Sequence, residues 1–268
     1  MNNWLISCVL LIVLQCSGCA TTSGKFSWGE KLGSLPSLSK LKRAASQALK
    51  HPDTWMPTTS AIALHATNLD KPLSHWASNN QPVFGSTQAA IDASNLLRRF
   101  SVLSFSASVV TNTTRHSFTA GMDNNIHKVG VELGALASMG LVTGVLKHGA
   151  ARERPNLGSF TSFPSSHSSV AFSFTSLAKR NIAALPLKQG TTQMLDFALT
   201  GVGVGTAWAR VEANVHYATD VLVGAAIGNF FTHFFYNAFL SGHKRIHTRI
   251  ILDPLDDGMG FGVKMSFD

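Results

Sequence analysis

The chain has 268 residues, of which 45% are hydrophobic and 13% are charged. Its length suits one well-buried domain with extensions and leaves too little for two large domains. The small charged share indicates a heavily buried helical protein or one in contact with a membrane. The net charge of +8 favours anionic partners such as phosphate esters, nucleic acid or acidic lipids, although a solvated basic surface explains it equally well.

The cysteines all lie near the N-terminus, at positions 8, 16 and 19. The rest of the chain can therefore form neither a disulfide nor a cysteine metal site, which excludes cysteine redox chemistry from the core. Residues 4–14 form an apolar run with the length of an export signal, and small residues surround Cys19. We therefore predict that the protein is exported.

The segment Cys16-Ser17-Gly18-Cys19 is similar to the lipobox of bacterial lipoproteins, in which the last cysteine is acylated and becomes the mature N-terminus. This resemblance predicts a signal peptide at residues 1–19, lipidation of Cys19 and a periplasmic protein bound to the outer membrane by a lipid anchor. An ordinary cleaved signal and an uncleaved anchor are the alternatives.

Residues 20–54 form a tether rich in Ser, Gly and Lys followed by a short basic helix with apolar residues at helical spacing. This helix either packs on its own domain, which we favour, or lies on an anionic bilayer. From position 55 to 240 the pattern predicts an all-α bundle of about six to eight helices. Residues 241–268 form a tail whose last residues alternate weakly like a strand, from Phe261 to Phe267.

The best uninterrupted candidate for a membrane span after the signal is Val221 to His243. Other charge-free runs are shorter, such as Leu133 to Leu146, or are broken by Ser and Pro. A multi-spanning membrane protein would show several candidate spans, and this sequence shows one. We therefore favour an exported and tethered globular domain over an integral membrane enzyme.

The first cluster of candidate functional residues contains Lys147 and Arg154. The apolar run before Lys147 places that cation at a helix end, and Pro155 fixes the backbone just after Arg154. Cations at a helix C-terminus are ordinary partners of the helix dipole, so this segment alone does not predict a site.

The second cluster is the segment Phe163-Pro-Ser-Ser-His-Ser-Ser169, which precedes an apolar helix. Ser165 or Ser166 is a natural N-cap, and the helix start would present free N–H groups to an anion beside His167. A serine-rich cap is common, so this cluster is also weak by itself.

The third cluster contains Arg210, His216 and Asp220. On a helix, His216 and Asp220 share one face, so the carboxylate can orient the imidazole and leave the opposite nitrogen free to attack. The same spacing also occurs in plain surface pairs.

Together the three clusters resemble the signature of the type 2 phosphatidic acid phosphatase and vanadium haloperoxidase superfamily. The shared pattern is Lys, six residues, Arg-Pro; then Pro-Ser-x-His; then Arg, five residues, His, three residues, Asp. The resemblance covers roughly positions 55–240 and implies an all-α bundle. Two positions depart from the family, since Ser166 replaces the usual Gly and Ala209 replaces the usual Ser.

The resemblance also implies a mechanism that needs no cofactor and no metal. His216 attacks phosphorus, Asp220 orients it, and His167 protonates the leaving oxygen and later activates water. The phosphate is held by cations and by the start of the helix, through Lys147, Arg154, Ser165, the N–H of Ser166 and Arg210.

The resulting prediction is a phosphatase that acts on phosphate monoesters, either lipid phosphates or soluble organic phosphates. A globular domain that does not span the membrane slightly favours an acid phosphatase of broad specificity. The alternatives are a vanadium-dependent haloperoxidase and a non-catalytic envelope lipoprotein with the same fold. Nucleic-acid binding is not expected, because the basic residues lack a recognition motif or interleaved aromatic residues.

Overall fold

The computed structural model describes residues 36–115, 122–241, 246–255 and 258–267. Within these ranges the domain contains eight α-helices, which confirms the all-α prediction. They are α1 (Leu38–Lys50), α2 (Pro52–Ala66), α3 (Asp70–Asn80), α4 (Thr87–Arg115), α5 (Met122–Ala150), α6 (Ser166–Ala183), α7 (Gln189–Glu212) and α8 (Ala218–Phe235). A π-helical turn, Tyr236–Leu240, extends α8. The tail forms an antiparallel hairpin of β1 (Ile246–Leu255) and β2 (Gly258–Phe267).

Helix α8 lies at the centre of the bundle. It packs against α6, α2 and α5, and most of its length is buried, as far as His233. Its side chains are apolar or small on nearly all sides, which is the pattern of a helix surrounded by protein. The stretch that the sequence singled out as the best membrane span is therefore largely a core helix.

A different helix has the length and composition to cross a membrane. Among the described residues this is Ile126–Ala150, within α5, and only 28% of its apolar window is buried inside the bundle. The prediction that Val221 to His243 is the best span was wrong, because its burial depends on neighbouring helices that a hydropathy pattern does not show.

Glycines allow α8 to approach α6 closely. A Cβ atom on Gly224 would lie 2.6 Å from the carbonyl oxygen of Ser165, and one on Gly228 would lie 2.5 Å from that of Ser169. Both distances are below the van der Waals limit for a real Cβ, so any larger residue would push the helices apart. The start of α6, which carries the second motif, is thereby fixed against α8.

We expect Gly224→Ala to destabilise the protein by about 1–3 kcal/mol through overpacking and to lower activity by displacing Ser165. The matched control is Gly140→Ala in α5, where a Cβ meets no atom within 4 Å. That change should be neutral or stabilising by about 0.5–1 kcal/mol, since it only removes a helical glycine. Urea unfolding of both variants measures the difference, and equal stabilities would contradict the close-packing argument.

Several helices present large apolar side chains to the outside. On α4 Leu96 and Leu103 are exposed, and on α7 Met194 and Phe197 are exposed, the latter by 81%. Residues 100–114 of α4 contain no charged side chain. Exposed apolar area on this scale usually marks contact with another protein or a membrane.

Helix α1 confirms the predicted short helix and its contact with the domain. It packs on α8, but its buried residues are Ala44 and Ala48, whereas Leu38 and Leu49 are exposed. The small residues face the core because α1 lies close to α8. Residues 1–35, with the predicted signal, Cys19 and most of the tether, lie outside the described residues.

Candidate active site

The three sequence clusters meet where α5 ends and α6 and α8 begin. The Lys147 ammonium donates to the carbonyl oxygens of Thr161 (2.6 Å) and Pro164 (2.9 Å), which ties the end of α5 to the loop before α6. The N–H of Ser165 donates to the carbonyl oxygen of Asp220 at 3.0 Å, which ties α6 to α8. Residues that are far apart in sequence thus form one site.

His216 lies in the short turn between α7 and α8. Asn214 adopts a left-handed conformation, with φ of 56°, which asparagine tolerates better than most residues. The N–H of His216 then faces the carbonyl oxygen of Arg210 at 3.3 Å. This tight turn holds the imidazole, which is only 2% exposed.

Asp220 faces His216, with 3.7 Å between Oδ2 and Nδ1. The two residues do not share a helix face as predicted, because α8 begins at Ala218 and His216 lies in the turn before it. That distance is longer than a normal hydrogen bond, so the pair is in Coulombic contact and could tighten when a ligand binds. Because the carboxylate lies on the Nδ1 side, it does not contact Nε2.

The Asp220 carboxylate is buried and surrounded by donors. It accepts from the Ser162 hydroxyl at 2.5 Å, the Tyr217 N–H at 2.8 Å and the Arg152 guanidinium at 2.7 Å. Burial opposes its ionisation, but the imidazole, the Ser162 hydroxyl and the Arg152 charge outweigh burial and lower its pKa. Asp220 is therefore a fixed negative charge beside His216.

Both histidines of the site are held neutral. Burial lowers the pKa of His216 even though Asp220 raises it. Burial and the charges of Arg210 and Arg98 lower the pKa of His167 to about 3. His167 Nε2 lies 3.0 Å from Asn95 Oδ1 on α4, which fixes the ring. Both rings are therefore neutral at neutral pH.

These pKa shifts predict an acidic optimum for kcat/KM. A histidine nucleophile must be neutral in the free enzyme, and the lowered pKa of His216 keeps it neutral below the ordinary value of 6.5. The need for protonated His167 moves the profile in the same acidic direction. Initial rates across the acidic and neutral range, corrected for substrate ionisation, should show activity persisting below pH 6.5. An acid limb above that value would contradict the shift.

Arg154 and Arg210 add positive charge beside His167. Arg210 is 7% exposed and donates to the Ser94 hydroxyl at 3.3 Å. Burial and the nearby charges of Arg154 and Arg98 lower its pKa to about 10, and burial followed by Arg154 also lowers the pKa of Lys147. The buried Nε atoms of Arg154 and Arg210 lack a hydrogen-bond partner among the described residues. Clustered cations with unused donors are suited to an anion.

The start of α6 completes the anion site. Ser165 is the N-cap and its hydroxyl accepts from the Ser168 N–H at 3.5 Å, as one of the two predicted caps. Ser166 and His167 occupy the first turn, where N–H groups have no acceptor inside the helix. The departure from glycine at position 166 is accommodated, since serine supplies the same N–H and is only partly buried.

The sequence interpretation missed the supporting network around Arg152. This side chain bridges Asp220 and Asp70 (2.6 Å) and lies over the Tyr217 ring, 4.1 Å from its centre. Ala151, just before it, has φ of 41°, which turns the chain sharply after α5. The position of Arg152 within the first motif was a weak signal, whereas Asp70 is too distant in sequence to give one.

A separate cluster lies at the other end of α8, away from the site. His51, Asp53 and His233 place ligand-type atoms within 4.8 Å of one another, and the two imidazole rings stack. Arg180 contacts Nδ1 of His233, so the guanidinium occupies one ring nitrogen and adds positive charge. This arrangement does not suit a cation, and His233 is a buried histidine that packs against His51.

A cavity of about 360 Å³ lies between α5, α6 and α8 near Arg180 and Glu132. None of the residues predicted for catalysis or phosphate binding lines it. It therefore does not form part of the candidate active site.

Residues 130–242 match the model of the PAP2 superfamily, and this segment holds all three motifs. This segment is therefore similar to the PAP2 superfamily. No curated protein matches.

The fold is similar to the crystal structure of the first transmembrane PAP2 type phosphatidylglycerolphosphate phosphatase from Bacillus subtilis. The TM-score is 0.53 and the identity is 20%, over 72% of this chain and 94% of the other. Family, fold and site together support a phosphatase-type enzyme.

Proposed function

We propose that the protein is a metal-independent phosphatase that hydrolyses phosphate monoesters through a phosphohistidine. The observation that carries this proposal is the convergence of Lys147, Arg154 and Arg210 around His216 and the start of α6. Phosphoryl transfer needs mainly positioning and charge stabilisation, which fixed cations and helix N–H groups provide.

In the proposed reaction, Nε2 of His216 forms a bond to phosphorus while the bond from phosphorus to the ester oxygen breaks. His167, protonated once the anion is bound, gives its proton to the leaving oxygen. A water molecule activated by neutral His167 then breaks the N–P bond and releases phosphate. Asp220 stabilises the imidazolium that forms during the first step.

We propose that the enzyme acts at a membrane surface and that lipid phosphates are its preferred monoesters. The support is the set of exposed apolar side chains on α4 and α7 and the largely unburied apolar α5. The predicted lipid anchor at Cys19 and export to the periplasm would hold the domain at the outer membrane. These features favour a lipid phosphate phosphatase over an acid phosphatase of broad specificity.

The test uses the full chain purified in detergent, with an aryl phosphate and a short-chain phosphatidic acid as substrates. We expect vanadate-sensitive phosphate release that persists in excess chelator, with the higher kcat/KM for phosphatidic acid. Activity lost to chelator and restored by metal would contradict the mechanism. Peroxide-dependent halide oxidation with vanadate, and no phosphate release, would favour a haloperoxidase.

A further inference from the structure

The cavity near Glu132 and Arg180 lies at the opposite end of the helices that build the candidate active site. It is lined by the start of α5 and the ends of α6 and α8, whereas the candidate active site lies where α5 ends and α6 and α8 begin. Its volume of about 360 Å³ is typical of sites for small molecules. One residue that lines it, Ala184, is exposed, so the cavity reaches the surface.

Glu132 is a buried carboxylate on the inner face of α5. It is 3% exposed, and Ala135 (2%) and Met139 (4%) follow it at helical spacing on the same face. Its Oε2 atom is buried and has no hydrogen-bond partner among the described residues. A buried carboxylate oxygen without a partner destabilises a fold. Glu132 therefore has the properties of a residue kept for binding a ligand.

Two polar residues of α6 line the same cavity. Asn181 is 0% exposed and its amide N–H donates to the Ser108 hydroxyl at 3.2 Å, while its Oδ1 has no partner among the described residues. The guanidinium of Arg180 contacts Nδ1 of His233 and lies over the Tyr236 ring, 4.1 Å from its centre. These contacts fix the guanidinium, but its buried Nε also lacks a partner within the described part of the chain.

These unfilled groups define the chemistry of an occupant. A primary ammonium group suits the free oxygens of Glu132 and Asn181, because it has three N–H donors and a positive charge to place beside a carboxylate. An oxyanion suits the free N–H of Arg180, and Lys128 brings a second cation to the cavity wall. A zwitterion satisfies both requirements at once.

The remaining wall of the cavity is apolar and aromatic. Phe235 and Phe239, from the last turn of α8 and the π-helical turn, line it and stack with 5.5 Å between their ring centres. Such rings bury the apolar part of a ligand, while a few fixed polar groups set its orientation. The occupant that fits therefore has an apolar body joined to the zwitterionic end.

We propose that this cavity reversibly binds an amphiphilic zwitterion, with its ammonium group between Glu132 and Asn181, its oxyanion at Arg180 and its apolar part against the aromatic wall. An aminophospholipid headgroup and a free apolar amino acid share this chemistry. The inference goes beyond the proposed function and does not depend on it, since none of the residues assigned to the reaction lines the cavity.

The test measures binding to the full chain in detergent by isothermal titration calorimetry, with vanadate present to fill the candidate active site. One pair of probes is dihexanoyl phosphatidylethanolamine and dihexanoyl phosphatidylcholine, whose nitrogen carries no N–H donor. The other pair is L-phenylalanine and N-acetyl-L-phenylalanine, which lacks the ammonium group. We expect the ammonium member of a pair to bind at least about 10-fold more tightly than its partner, as for a charged hydrogen bond. The pair that shows this preference identifies a lipid or a free amino acid as the source.

Glu132→Gln should abolish the preference, because it removes the carboxylate charge and keeps the shape of the side chain. The control is Asp92→Asn, which removes an exposed carboxylate from α4 and should keep the preference. Absence of a preference from both pairs in the wild type overturns the inference, as does a preference that survives in Glu132→Gln. If Glu132→Gln fails to fold, Arg180→Lys carries the test, and an unchanged affinity for the favoured probe in that variant overturns the inference. Hydrolysis of the aryl phosphate tests the proposed function separately.

Discussion

Replacing His216 with alanine should lower kcat/KM by at least about a thousand-fold, because it removes the only proposed bond-forming atom in the reaction. The fold should survive, since Nδ1 of His216 makes no close hydrogen bond and the ring lies in a turn held by backbone contacts. The measurement is steady-state hydrolysis of the aryl phosphate, with the thermal unfolding midpoint of each variant as the check on folding.

The matched control for this variant is His65→Ala, which removes an exposed histidine from α2. Its activity should equal that of the wild type. Rapid acid quench with a phosphate-labelled substrate should also trap an acid-labile phosphoenzyme in the wild type and none in His216→Ala. A folded His216→Ala enzyme with substantial turnover would show that the nucleophile lies elsewhere.

Replacing Asp70 with alanine should destabilise the protein by about 3–5 kcal/mol, as expected when one partner of a buried ion pair is removed. Asp70 is 5% exposed and accepts from the Thr219 N–H at 2.8 Å, the Thr219 hydroxyl at 2.7 Å and Arg152 at 2.6 Å. Without it, Arg152 loses one of two carboxylates, and the Thr219 N–H in the first turn of α8 loses its acceptor. Activity should fall as well, because that turn positions Asp220.

Asp92→Ala is the control, since Asp92 is exposed on α4 and bonds only to Gln88 among the contacts described for its side chain. Denaturant unfolding should place this variant within about 0.5 kcal/mol of the wild type. The unfolding midpoints of Asp70→Ala and Asp92→Ala test whether Asp70 stabilises the protein more than Asp92 does. If Asp70→Ala is as stable as Asp92→Ala, the Asp70–Arg152–Asp220 network does not hold the site together.

The motif residues could be predicted because their chemistry is local. The sequence predicted that His216 and Asp220 lie close together, and the structure places them 3.7 Å apart. The predicted reason was wrong, because His216 lies in the turn before α8 and not on a shared helix face. The residue type of Ser165 likewise predicts the start of a helix, because serine is a preferred N-cap residue. The spacing of the motifs could not identify the residues that contact them from α4, which are Ser94 beside Arg210 and Asn95 beside His167.

The burial of α8 shows the same limit at the level of the fold. Hydropathy marked its sequence as the best membrane span, yet it is the central helix of the bundle, and α5 has the exposed apolar surface instead. A core helix and a lipid-facing helix are both apolar, so only their neighbours distinguish them.

The sequence by itself determined the helical class, the order of the three motifs and the residue types that can bind phosphate, because periodicity and spacing act within a helix or a loop. The tertiary structure alone decided which helix is central, that Arg152 is held between Asp70 and Asp220, and that α4 brings Asn95 to His167. These features depend on contacts between segments separated by many residues, and the packing of helices around small residues such as Gly224 sets those contacts.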